Sequence, residues 1–181
     1  MPSSQSQSQI YAKTLRTLIR YAIAMAIFGV LIGIAYQESA QKLTYADAPA
    51  GLRLAAVMPL ALVHGHVFTL GVLLPLALAG ALVLGLRAGG GPVGPRALAW
   101  LRWVFLPFVT ATLALQLFKG YFVLLAVRHG QQDLAAVDAS FMAGSHTLRY
   151  ALYAVVHSGM GISLCVFLVA LWRSLGVKAR G

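Results

Sequence analysis

Four long apolar segments run through this chain of 181 residues, and they leave it almost no choice of fold. They predict membrane-spanning helices over about residues 17–37, 54–86, 97–127 and 147–175. A hydrocarbon core of roughly 30 Å takes about 20 helical residues, so the first segment is just long enough with its flanks and the other three are ample. The expected fold class is all-α, a four-transmembrane-helix bundle with both termini on the inner side. Composition agrees: 60% of residues are hydrophobic, 10% are charged and the mean hydropathy is +0.80, whereas soluble domains carry about 25% charged residues. Pro59, Pro75 and Pro107 should bend the second and third spans without ending them, because neighbouring helices can re-satisfy the freed carbonyls.

Charge placement sets the expected orientation. The chain has 14 Lys and Arg against 4 acids, a formal net charge of +10. Such an excess raises the possibility of nucleic acid, but these cations sit between apolar runs, and the pattern reads as membrane topology. Lys13, Arg16 and Arg20 precede helix 1; Arg87, Arg96 and Arg102 flank the second connection; Arg173, Lys178 and Arg180 follow helix 4. In a four-span bundle all of these fall on one side. Glu38, Asp47, Asp133 and Asp138 fall on the other. The positive-inside rule then predicts cytoplasmic termini in a bacterial inner membrane. Trp100, Trp103 and Trp172 land at the inner interface, where an aromatic belt belongs. The basic start of helix 1 also suits a signal peptide, but no clear small-x-small cleavage site follows it, so it is read as a retained span.

Outside the membrane domain of residues 13–175, residues 1–12 read as a polar, disordered tail and residues 176–181 as a basic tail. The 87–96 connection is a Gly/Pro turn-rich linker. In the 3–4 connection, Leu134, Val137 and Phe141 recur at helical spacing behind Asp133, which predicts a short capped interfacial helix. Gly29 and Gly33 form a small-xxx-small pair that lets helices approach closely. Cys165 is alone in the chain, which excludes an intramolecular disulfide or a cysteine metal cluster; it reads as a small packing residue.

Polar groups inside hydrocarbon are costly and therefore informative. They are His64 and His66 on helix 2, Thr112, Gln116 and Lys119 on helix 3, and His157 on helix 4. His64 lies roughly 15 Å and His157 roughly 14 Å from the outer ends of their helices, so the two imidazoles share a depth. His66 points roughly 200° away from His64 on an unbroken helix. Neutral imidazole ligates haem iron, copper and zinc. A b-type haem needs axial ligands from facing helices, small residues to admit the plate, aromatic walls and cations near its propionates. The candidates are His64 or His66 opposite His157, with Gly65, Gly71 and Gly161 as room, Phe68, Tyr150 and Tyr153 as walls, and Lys119, Lys42 and Arg149 for propionates. The plainer alternatives are histidines that only hydrogen-bond between helices, tyrosines that anchor the interface, and a Lys119 stem that snorkels to water.

The run His64-Gly65-His66, with Leu70 and Gly71, resembles the HGHxxxLG signature of small bacterial four-helix membrane proteins of unassigned function. In those, an outer Glu/Lys pair after the first helix and a glycine-flanked histidine in the last recur; Glu38 with Lys42, and His157 with Gly159 and Gly161, match these roles. The His-bearing helix is also similar in style to haem-ligating helices of respiratory oxidases and nitric-oxide reductases. Size and span number are similar to b561-type cytochromes and superoxide oxidases, from which the chain departs in having no histidine on helix 1. The resemblance implies a haem-protein relative and names no reaction.

The expected function is therefore a membrane b-type haem protein that passes electrons between the quinone pool and an outer-side partner. Two alternatives stand beside it: a copper or zinc site for transport or delivery, and a non-catalytic accessory subunit of a respiratory complex or a homo-oligomer. No intramembrane carboxylate and no phosphate-cradling loop is present, which disfavours hydrolase and phosphate chemistry.

Overall fold

The computed structural model describes residues 4–44 and 49–176; Asp47, Lys178 and Arg180 lie outside them. It is all-helical among the described residues. The elements are α1 (Ser4–Thr44), α2 (Ala50–His66), a π-helical segment (Val67–Leu73), α3 (Leu74–Arg87), α4 (Pro95–Trp100), a second π-helical segment (Leu101–Phe105), α5 (Leu106–Arg128), α6 (Leu134–Ser140) and α7 (His146–Leu175). They compose four helices long and apolar enough to cross a membrane. This is a four-helix bundle with the composition of a multi-pass membrane protein.

The segment expected to be a disordered tail, residues 1–12, is helical from Ser4 onward. Once a long helix exists, each added residue gains a backbone hydrogen bond without a new nucleation cost, and no Pro or Gly interrupts the stretch. Tyr11, within it, is buried and accepts a hydrogen bond at its hydroxyl from the Val93 amide. The Gly91 amide donates to the Ser174 carbonyl. These two bonds gather the start of α1, the 88–94 linker and the end of α7 at one end of the bundle.

The prolines do not end their spans, and a specific device accommodates two of them. Each π-segment leads into a proline, Pro75 and Pro107, at the start of the following α-helix. A proline offers no N–H and its ring crowds the carbonyl four residues back. Widening the turn relieves that crowding: the Leu74 amide bonds Thr69 O and the Leu106 amide bonds Leu101 O, each five residues back. Pro59 is accommodated inside α2.

Span 3 (Pro95–Arg128) is the centre, with 44% of its apolar window buried, and span 4 is the periphery, with 17%. Leu18, Val67, Leu82, Leu101, Phe105 and Phe167 knit all four spans. A smaller cluster of Leu43, Ala56, Leu60 and Leu124 ties the end of α1 to α2 and α5. There α2 packs on α1 and α5, while α7 packs chiefly on span 3. α5 therefore stands between α2 and α7.

The 3–4 connection forms the expected capped helix. Asp133 Oδ1 accepts from the amides of Ala135 and Ala136 at 2.9 and 3.1 Å. Behind it Phe141 is buried against Phe118 and Phe122 of α5, at ring separations of 5.4 and 5.2 Å. That contact clamps α6 over the end of the bundle where α5 stops and α7 begins.

Candidate functional site

His64 and His66 lie two residues apart on α2 and meet opposite environments. His64 faces α1: its Nδ1–H donates to Gly29 O at 2.9 Å. Its ring lies so close to Gly33 that a Cβ there would meet Cε1 at 2.8 Å. Phe68, on the π-segment, stands edge-on to the imidazole at 5.1 Å and fills the space beside Gly29. The Gly29/Gly33 pair is thus the cradle of His64 and Phe68. Sequence spacing alone marked these glycines as generic packing.

His66 faces the other way, toward α5 and α7. Its Nδ1–H donates to Leu62 O of its own helix at 2.7 Å. It lines a cavity of about 240 Å³ with Pro59, Leu62, Val63, Gln116, Lys119 and Tyr153. Three spans contribute to this cavity. Its margin reaches the outer surface, since His66 also lines a shallow groove with Gly65 and Thr69. Gln116 Oε1 is buried and has no hydrogen-bond partner, a state that costs about 1–3 kcal/mol when nothing occupies it.

Above the cavity stands an ion cluster. Lys119 Nζ pairs with Asp138 Oδ1 at 2.6 Å. Arg149 Nη1 donates to Asp138 Oδ2 at 3.0 Å and to the Asp138 carbonyl at 2.6 Å, while Nη2 donates to His146 Nδ1 at 3.0 Å. The Asp138 carboxyl is held below its ordinary range, first by the Lys119 hydrogen bond and further by the charges of Lys119 and Arg149, with partial burial opposing. The Lys119 stem reaches a carboxylate on α6, where free water was one expectation. Thr112 turns its hydroxyl back to Phe108 O on its own helix. The polar track of α5 is therefore Gln116 and Lys119.

His157 does not join His64. It is exposed on α7, its Nδ1–H donates to Tyr153 O at 2.9 Å, and its ring stacks on Tyr153 at 5.8 Å. Among the described residues no three His, Cys, Asp or Glu side chains gather around one point. The room expected for a porphyrin plate is absent at Gly71, where Met25 side-chain atoms lie 3.1 Å from a notional Cβ. Gly161 does face open space, but on the far groove of α7 with Arg96 and Trp100. Tyr150 is exposed, stacked on His146 and covered by the Arg149 guanidinium 5.5 Å from its ring centre. Lys119 and Arg149, expected to meet propionates, are committed to Asp138. Of the two imidazoles expected to share a haem, that of His64 is walled by α1 and that of His157 is exposed on α7. Cys165 is exposed on α7 and not packed inside.

Asp138, Gln116 and Tyr153 complete the polar site, and sequence reasoning gave none of them a leading role. The signal for Asp138 was its position as the acid beside a capped helix that had to lie over the mouth. No family model, no curated protein and no solved structure matches this chain.

Proposed function

We propose that the protein is a quinone-binding subunit of a membrane redox assembly, with the headgroup held in the cavity bounded by His66, Gln116, Lys119 and Tyr153. The observation that carries this reading is a cavity lined jointly by His66, Gln116, Lys119 and Tyr153 of three spans, with the buried Gln116 Oε1 beside it left without a hydrogen-bond partner. Because His66 gives its Nδ1 proton to Leu62 O, neutral His66 keeps a lone pair on Nε2. Gln116 Oε1 and His66 Nε2 are acceptors matched to the two O–H groups of a quinol. Lys119 Nζ, which spends one of its three N–H donors on Asp138, and the Tyr153 hydroxyl are donors matched to the carbonyls of a quinone. Pro59, Leu62 and Val63 supply the apolar walls of a ring-sized site. At about 240 Å³ the cavity falls below the roughly 300–1,000 Å³ of drug-sized ligands and suits one ring better than a tetrapyrrole. The surface margin at His66 lets a lipid-dissolved tail remain in the bilayer. Charge placement supports a bacterial inner-membrane location with cytoplasmic termini and this site toward the outer face.

Titration of purified protein with a short-tailed quinol tests the reading. Saturable binding is expected, weakened about tenfold in Gln116→Leu, which removes one hydrogen bond of about 1–1.5 kcal/mol. Absence of saturable binding, or equal affinity in the variant, overturns it.

A second reading keeps the histidines as ligands of a b-type haem, or of copper or zinc. It is favoured by the anchoring of Nδ1 on a backbone carbonyl in all three, His64, His66 and His157, which leaves Nε2 for a metal. His66 and His157 are then the available pair, because the His64 ring is pressed against Gly33. When bound, a haem would supply one-electron chemistry. A reducible Soret band lost in His66→Ala and His157→Ala but retained in His64→Ala supports this reading; a colourless, metal-free protein removes it.

A further inference from the structure

A separate groove of about 810 Å³ lies between α4 and α7 toward the end of the bundle where α1 begins. Its sides are Ala97 and Trp100 of α4 and the Ser158–Arg173 face of α7, an apolar trough about 22 Å long at roughly 1.5 Å per residue. That length exceeds the roughly 15 Å depth of one bilayer leaflet. Gly161 leaves the trough open, since nothing lies within 4 Å of where its Cβ would be.

One end of the trough is charged. Arg96 and Arg173 both line it, and among the described residues neither guanidinium takes part in a hydrogen bond or ion pair. No acidic residue lines the groove. Trp100, 44% exposed, sits at the same end, where an indole marks the headgroup level. Lipid-facing helices are apolar everywhere; a concave apolar track that ends in two unneutralised guanidiniums is a more specific feature. Guanidinium forks pair bidentately with phosphate, and basic pockets between transmembrane helices recognise anionic headgroups.

We infer that this groove is a binding site for one anionic phospholipid, its phosphate held between Arg96 and Arg173 and an acyl chain laid along Gly161, Cys165 and Val169. The charges favour an anionic over a zwitterionic lipid by about fivefold per guanidinium, so up to about thirtyfold for the pair.

Native mass spectrometry of the protein released from bilayers with equal phosphatidylglycerol and phosphatidylcholine tests this. Retention of one phosphatidylglycerol per chain is expected, lost in Arg96→Gln/Arg173→Gln. Gly161→Leu is the second variant: it fills the trough without touching a charge or a packed neighbour, and it should also lose the lipid while keeping the parent's thermal transition. Equal retention of both lipids, a preference that survives the double variant, or displacement of the lipid by inorganic phosphate alone overturns the inference. A dimer that closes the groove in place of lipid overturns it as well.

Discussion

The seam between α1 and α2 around His64 and the cavity between α2, α5 and α7 around His66 use the same residue type on the same helix, two positions apart, for opposite ends. In the seam the imidazole is held: Gly29 O accepts from Nδ1–H, Gly33 makes room for the ring, and Phe68 closes the edge. At the cavity the buried Gln116 Oε1 has no partner, and His66, Lys119 and Tyr153 line open space. The contrast teaches that a membrane histidine becomes available chemistry when the helix opposite fails to approach, and becomes structure when two glycines let it come close.

The contrast breaks most visibly at the glycines. Gly33→Leu forces side-chain atoms into the His64 ring, where even a Cβ sits at 2.8 Å; a loss of more than about 3 kcal/mol is expected, beyond the usual cost of overpacking, read as a collapsed thermal transition in detergent. His64→Leu keeps the bulk and deletes the interhelical hydrogen bond, at about 1 kcal/mol. Asp138→Asn removes the shared partner of Lys119 and Arg149. Because the Asp138 side chain is 42% exposed, solvent screening holds the loss to about 0.5–1 kcal/mol. Since folding lowers the Asp138 pKa, its contribution is present above the unfolded carboxylate pKa of about 3.9 and fades as pH falls below it. A pH titration of stability that is flat from 7 to 5, then steeper in the parent than in the variant, sharpens that assignment. The smallest effect is expected at Gln116→Leu: roughly zero change in stability, or a slight gain, because a buried orphan is removed. A large loss there would erase the distinction between seam and cavity and place Gln116 in the structural core.

The four spans, their passage unbroken through Pro75 and Pro107 and the capped helix behind Asp133 were legible because local rules govern them: apolar run length, a missing amide, a side-chain cap. The opposed faces of His64 and His66 followed from the helical period. The pairing of partners was not legible. Gly29 lies 35 residues before His64, and nothing in the spacing distinguishes a glycine pair that cradles an imidazole from one that merely packs. The shared depth of His64 and His157 was arithmetic about height along each helix and carried no information about rotation. Their faces depend on which spans are neighbours, and α5 stands between α2 and α7. Tyr11 and Ser4 show the reverse case, a polar terminal stretch whose composition suggested disorder and whose helix continues from the span it adjoins.

Sequence alone determined that this chain must be a bundle of four apolar helices, because a bilayer leaves the backbone no other way to satisfy itself and length decides how many crossings fit. It also determined which few polar side chains must find partners inside. Only the tertiary structure decided who those partners are. The rotation of each helix about its axis is set by the sum of many small packing contacts between spans, and no local pattern encodes that sum.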